Sequence, residues 1–182
     1  MIQIPATDTA PALTLRPWQT SDIPALVKAH ADPAMQRWAR RHVADEEQAR
    51  ATIAAHTQAW TDRTRFNFAV LIEDATDPIA GVSIRRSEKK LDAPEIGYWT
   101  AAEARGRSVA VRAVEAAMQW SATEWAADGV PVTRFELIHT VGNDASCRVA
   151  VKLGFELVEE LPPYPPEFLE PGHLHVRGYL GG

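Results

Sequence analysis

Two stretches of the 182-residue chain carry side chains whose types and spacing suit chemistry. The first is Arg105-Gly106-Arg107-Ser108-Val109-Ala110, which follows a strand-like run and opens a long helical pattern. A helix start leaves about four backbone N–H groups without partners, and the helix dipole adds partial positive charge there. Small residues let an anion approach the main chain, and two arginines add charge-assisted bonds, so the stretch suits a phosphate group. The second stretch runs from Asn143-Asp144-Ala145-Ser146-Cys147 to Lys152-Leu153-Gly154-Phe155. Asn143 is a good helix N-cap, and Gly154 suits the position just past a helix end. Taken alone, each stretch also reads as an ordinary helix boundary. His173 and His175 fall on one side of a strand. They could act as base or ligand, but two histidines without a third donor nearby make a weak zinc case, and no metal is expected. Cys147 shares a helical face with residues 150, 151 and 154. It reads as a small core residue rather than a nucleophile that carries an acyl group.

The elements that must position these residues follow from the period of the apolar pattern. Residues 1–11 read as a loose lead-in, and Leu13 to Trp18 alternates as a first or edge strand. Thr20, Ser21 and Asp22 precede helical spacing at Ile23, Leu26, Val27 and His30, which Asp32-Pro33 breaks. A short helical piece follows through Met35 and Trp38, and then a longer helix from Asp45 to Trp60. The pattern switches to strands at Phe66–Ile72, Ile79–Ile84 and Glu95–Thr100, with turns at Asp74–Pro78 and Asp92–Pro94. Helical spacing returns from Gly106 to about Ala127. A strand (Arg134–His139), a helix (Asn143–Leu153) and a strand (Phe155–Val158) come next, followed by a proline-rich loop from Pro162 to Pro171 and a last strand, Leu174–Leu180. Early antiparallel strands and late strand–helix–strand crossovers predict one domain over 1–182, an α/β (α+β) fold with a mixed, mostly antiparallel sheet and helices on both faces.

Composition removes several classes of function. At 46% hydrophobic and 24% charged residues, the chain is neither disordered nor collagen-like. A single cysteine allows no internal disulfide and asks for no oxidising compartment. The formal charge of −5 argues against a general nucleic-acid binder. No run approaches the ~20 apolar residues needed to cross a bilayer, and the amino terminus lacks the pattern of a signal peptide. A cytoplasmic protein with no nucleic-acid or membrane partner is the expectation.

The two stretches in this order, with a strand between them, resemble the GNAT superfamily of acyl-CoA N-acyltransferases, and within it the RimJ/RimL-like branch. The resemblance covers nearly the whole chain. Leu13-Thr14-Leu15-Arg16-Pro17 looks like its opening strand and Glu95-Ile96-Gly97-Tyr98-Trp99 like its central strand. Arg105 to Ala110 is similar to its pyrophosphate loop, with Ser108 where the pattern has glycine. Asn143-x-x-Ser146 through Phe155 is similar to its second cofactor motif. The implied fold has a central sheet of six or seven strands, splayed in the middle.

The resemblance implies acetyl-CoA, or another acyl-CoA, as cofactor and an amine as acceptor, either a small molecule or a protein N-terminus. Dimers are common in that family. Tyr98, Trp99 and Thr100 would supply main-chain contacts to the pantetheine arm, Arg105, Gly106, Arg107, Ser108, Val109 and Ala110 would hold the pyrophosphate, and Asn143 would bond the arm. Glu95 is the candidate base, acting through a water. Ser146 is the candidate group at the sulfur, because Ala150 stands where many such enzymes have a tyrosine. Trp38 and Tyr164, with Phe168, are placed around the acceptor mouth. The basic run Arg37, Arg40, Arg41, His42 reads as a solvated face open to an acidic partner.

The expected activity is direct acetyl transfer to a primary amine in a ternary complex, with a protein N-terminal amine as one acceptor class. Antibiotics, amino acids and polyamines are the small-molecule alternative, and a non-catalytic acyl-CoA-binding module is another. An ATP- or NAD-binding protein is disfavoured, because both Gly-x-x-x-x-Gly-Lys-Ser/Thr and Gly-x-Gly-x-x-Gly are missing.

Overall fold

The computed structural model describes residues 1–40, 42–73, 75–165 and 169–179. Arg41, Asp74, Phe168 and Leu180 therefore lie outside the described residues. Within them, eight strands form one sheet in the order β1-β2-β3-β4-β5-β6-β8-β7. They are β1 (Ile2–Ile4), β2 (Leu13–Pro17), β3 (Arg65–Ile72), β4 (Ala80–Ser87), β5 (Lys90–Thr100), β6 (Arg134–Thr140), β7 (Glu156–Leu161) and β8 (Gly172–Gly178). The helices are α1 (Ile23–His30), α2 (Pro33–Trp38), α3 (Glu46–Thr61), α4 (Val109–Ala127) and α5 (Asp144–Lys152). All strand pairs are antiparallel except β5–β6, which α4 connects in parallel.

Alternation along the strands sorts side chains onto two faces. Phe66, Phe68 and Val70 of β3 pack with Val109, Ala113, Val114, Ala117 and Met118 of α4 in the larger core. The other side of β3, through Ala69 and Leu71, packs with Trp18, Ile23, Leu26 and Ile53 under α1 and α3. The start of α1 is tied to β2 by a buried bidentate pair, with Arg16 donating to both Asp22 oxygens at 2.7 and 2.8 Å.

Three elements differ from the sequence expectation. The lead-in contains β1, whose Ile2 and Ile4 pair with Leu15 and Leu13. It brings the sheet to eight strands rather than six or seven, and at three residues it is too short for alternation to register. Asp92–Pro94 is not a turn but part of β5. Pro94 is tolerated because the β4–β5 register shifts between Arg85 and Ser87, leaving that stretch out of the ladder. The long helix begins at Val109, three residues after Gly106.

Candidate active site

The site is built where β5 and β6 part. Only Glu95↔Glu136 and Ile96↔Leu137 are in register. Beyond them β5 stays paired with β4 as far as Thr100, and β6 stays paired with β8 as far as Thr140. Each strand keeps its outer neighbour and abandons the other, which leaves a backbone edge along Gly97–Thr100 facing a gap. An extended chain carrying amides can pair with such an edge as an added strand.

The phosphate-type loop lies past the end of β5. Arg105, Gly106, Arg107 and Ser108 are exposed, and a Cβ on Gly106 would meet nothing within 4 Å. Gly106 has φ +76° and Ser108 has φ +58°, so two left-handed residues turn the chain into α4. No side chain caps that helix, and Arg112 N–H donates to Ser108 O. The first-turn amides are thus left for an outside acceptor. Val109 is buried and Ala110 half-buried behind them. Arg105 is already engaged, donating to Asp32 at 2.6 Å and to the Thr100 carbonyl at 3.2 Å. Its hydrogen bond is the main reason the Asp32 carboxyl sits below its ordinary pKa.

Across the gap, Asn143 caps α5 by accepting from Ser146 N–H at 3.2 Å. Tyr98 points to the α4/α5 side and packs on the larger core. Burial raises the pKa of its phenol, opposed by Ser146 and reinforced by Cys147. The hydroxyl is buried and has no hydrogen-bond partner among the described residues. Sequence reasoning assigned Tyr98 only main-chain contacts and missed this hydroxyl. The signal was its place two residues after Ile96, on the same face of β5.

Glu95 and Trp99 face the other way. Trp99 packs against Trp18 and His30, with ring centroids 6.0 and 6.1 Å away. Glu95 is held by Arg40 and by Arg85, the latter at 2.6 Å. Burial pushes its pKa up, but the charges and hydrogen bonds of the two arginines outweigh burial and hold it below the ordinary value. A carboxylate held this way is a weak base. Beside it lies a cavity of about 210 Å³ lined by Arg85, Lys90, Glu95, Glu136 and Ile138. Trp38 carries Arg37 over its ring at 4.7 Å and reaches to about 4.0 Å from where a Gly142 side chain would start, just before α5. Tyr164 is 68% exposed. The structure therefore brings Tyr98 to Ser146 and Trp38 to the α5 turn, and leaves Glu95 on the opposite face.

Cys147 does not sit in a purely apolar face. Val151 is exposed, and the thiol meets His139 at 3.3 Å and His173 at 3.5 Å. Sequence reasoning named both His173 and Cys147 but did not bring them together.

A family model described as an acetyltransferase (GNAT) domain matches residues 12–156. The chain belongs to the GNAT acetyltransferase family. Solved GNAT structures with the same fold include an acetyltransferase from Salmonella typhimurium that modifies the N-terminal serine of ribosomal protein L7/L12. It is 21% identical, covers 98% of this chain and 100% of its own, and has a TM-score of 0.77. RimJ from Mycobacterium smegmatis, solved with CoA-disulfide, is 17% identical over 93% and 83%, with a TM-score of 0.77. The ribosomal-protein-S5-alanine acetyltransferase from Vibrio fischeri is 17% identical over 98% and 97%, with a TM-score of 0.76. No curated protein matches the sequence significantly. Like other GNAT domains, the chain is an acyl-CoA dependent N-acetyltransferase with acetyl-CoA as donor. Among the described residues, no helix is long and apolar enough to cross a membrane.

Proposed function

We propose that this GNAT enzyme moves the acetyl group directly from acetyl-CoA to a primary amine in a ternary complex, and that the amine is a protein N-terminus. The observation that carries the reading is the parting of β5 from β6, with the buried Tyr98 hydroxyl on β5 beside that gap. The pantetheine arm pairs with Gly97–Thr100 and the Asn143 side chain, and its diphosphate rests on residues 105–110. The neutral amine nitrogen attacks the thioester carbon, and a β5 backbone N–H near Tyr98 or Trp99 steadies the oxyanion. The C–S bond then breaks, and the thiolate takes a hydrogen bond or proton from Tyr98 or Ser146. Glu95, kept charged by Arg40 and Arg85, accepts a hydrogen bond from a water that passes the amine proton on to bulk solvent. The N-terminal acceptors named for the Salmonella typhimurium and Vibrio fischeri proteins favour a peptide over a small amine, with half-buried Trp38 and exposed Tyr164 as its candidate contacts.

The test is release of free CoA from acetyl-CoA across a panel of amines. Peptides with free N-termini are compared with their N-acetylated forms, polyamines and aminoglycosides. Turnover confined to free peptide N-termini is the expected result, with Tyr98→Phe lowering kcat. Firm acetyl-CoA binding without turnover on any amine would make the chain a non-catalytic acyl-CoA-binding module. An isolable acetyl-Cys147 would end the direct-transfer route.

A further inference from the structure

We propose that His139, Cys147, His173 and His175 form a tetrahedral site for a single zinc ion, next to the acyl-transfer groups. Their donor atoms, one per residue, all lie within 4.8 Å of one another. His139 Nε2 is 3.1 Å from His175 Nε2, and the Cys147 Sγ is 3.3, 3.5 and 3.9 Å from His139 Nε2, His173 Nδ1 and His175 Nε2. Zinc binds imidazole nitrogen at about 2.0–2.1 Å and thiolate sulfur at about 2.3 Å. A tetrahedral centre therefore separates two nitrogens by about 3.3 Å and a nitrogen from a sulfur by about 3.6 Å. The three sulfur–nitrogen spacings straddle their tetrahedral value, and the His139–His175 spacing falls slightly short of its own.

The backbone fixes the arrangement. The β6–β8 register places His173 opposite His139 and His175 opposite Leu137, so three imidazoles share the sheet face that α5 covers. Cys147, in the first turns of α5, closes the fourth corner. His139 Nδ1 lies 2.9 Å from the Thr140 carbonyl. A carbonyl only accepts, so Nδ1 carries the proton and Nε2 turns its lone pair inward. Such an outward bond to a carbonyl is how ligand histidines are oriented.

Hydrogen bonding draws on only part of the donor set. His175 Nε2 and Cys147 Sγ converge on the single lone pair of His139 Nε2, which serves one of them, and the thiol can turn instead to His173 Nδ1. A cation at the centre takes a lone pair from all four donors. Four protein ligands close the coordination shell, so the ion is structural. It ties β6, β8 and the start of α5 together, directly beneath Asn143 and Ser146. His173 and His175 lie beyond residues 12–156, which the family model matches.

The test uses the untagged full chain, freed of metal with chelator and titrated with Zn2+ or Co2+. One ion per chain, tetrahedral cobalt bands and a thiolate-to-cobalt charge-transfer band are expected, with a higher thermal midpoint in zinc. A group that merely orients a metal ligand is itself worth about 10- to 100-fold in affinity, so loss of a ligand weakens binding more than tenfold. Cys147→Ala should do so and abolish the charge-transfer band. His173→Ala should do so and keep the band. Circular dichroism checks that each variant is folded. Fewer than about one ion per ten chains at micromolar free zinc would overturn the site, given how tightly structural zinc binds. So would undiminished binding in both folded variants, or cobalt spectra that are octahedral or lack thiolate.

Discussion

Ser108→Gly tests whether the phosphate loop is strained. Ser108 sits at φ +58°, ψ 14°, with no side-chain cap bond to offset that conformation. The left-handed region costs an L-residue about 1–2 kcal/mol, and glycine escapes that cost. Glycine loses more conformational freedom on folding, by about 0.5–1 kcal/mol, so the net gain is about 0.5–1 kcal/mol. For a chain this long that shifts the thermal midpoint upward by about 1–4 °C. Ser108→Ala keeps the strain and removes only the hydroxyl, so its midpoint should stay within about 1 °C of the starting protein. Calorimetry of the three proteins gives the midpoints, and isothermal titration with CoA gives the affinity. The expected order is glycine above serine and alanine, with CoA affinity held or improved in the glycine variant. A glycine midpoint below that of both others would refute the strain argument. CoA binding lost in both variants would show that the hydroxyl, rather than the backbone, holds the ligand.

Other perturbations probe the frame around the site. Asp22→Ala strands the Arg16 guanidinium, whose side chain is 11% exposed. Breaking a buried pair costs about 3–5 kcal/mol, and a urea-melt loss below about 1 kcal/mol would contradict that placement. Gly81→Ala puts a Cβ 2.4 Å from Trp99 Nε1. Displacing the indole should cost about 1–3 kcal/mol and weaken CoA binding, and unchanged values for both would mean the strand shifts freely. Glu95→Gln removes a carboxylate whose folded pKa lies below its ordinary 4.5. The stabilisation from such a group is present above that ordinary value and is lost as pH falls through the depressed one. The stability gap between wild type and Glu95→Gln, read from urea melts, should therefore be full at pH 7 and shrink in acid. A gap that widens in acid would reverse the sign of the argument.

The order of elements was legible because the apolar period switches cleanly between helix and strand. Local capping chemistry was legible for the same reason. Asn143 caps α5 through Ser146 N–H, a bond within one turn that sequence spacing specifies. What failed to show was set by pairing between distant segments. β1 becomes a strand only because β2 offers Leu13 and Leu15 as partners. Pro94 belongs to β5 only because a register shift frees it from the ladder. The histidine–cysteine cluster joins residues up to 36 apart, and no local pattern encodes the β6–β8 register that aligns them. One local sign did exist. Phe135, Leu137 and His139 alternate onto a single buried face, so a histidine ends a run of core positions. The face of Glu95 followed from the same alternation, since Ile96 and Tyr98 take the core side, but its two arginine partners come from β4 and from beyond α2.

Two strands that begin as neighbours would continue to pair unless something held them apart, because an unpaired sheet edge forfeits hydrogen bonds. On one side, β5 is fixed to β4 by the Trp99 indole, which lies over Gly81 and against Trp18 and has no room to swing inward. On the other, β6 is fixed to β8 by seven register pairs and beneath α5 by the cluster at Cys147. Each strand is braced outward by its own partners. At the mouth of the gap Arg40 donates to Glu95 on β5 and to the Ile138 carbonyl on β6, so one guanidinium spans the two strands where they begin to part. Beyond that point the bracing lies behind each strand, beside Gly81 and Cys147, and the donor's amides can occupy the place of the missing pairing. An edge braced from behind is ready as folded.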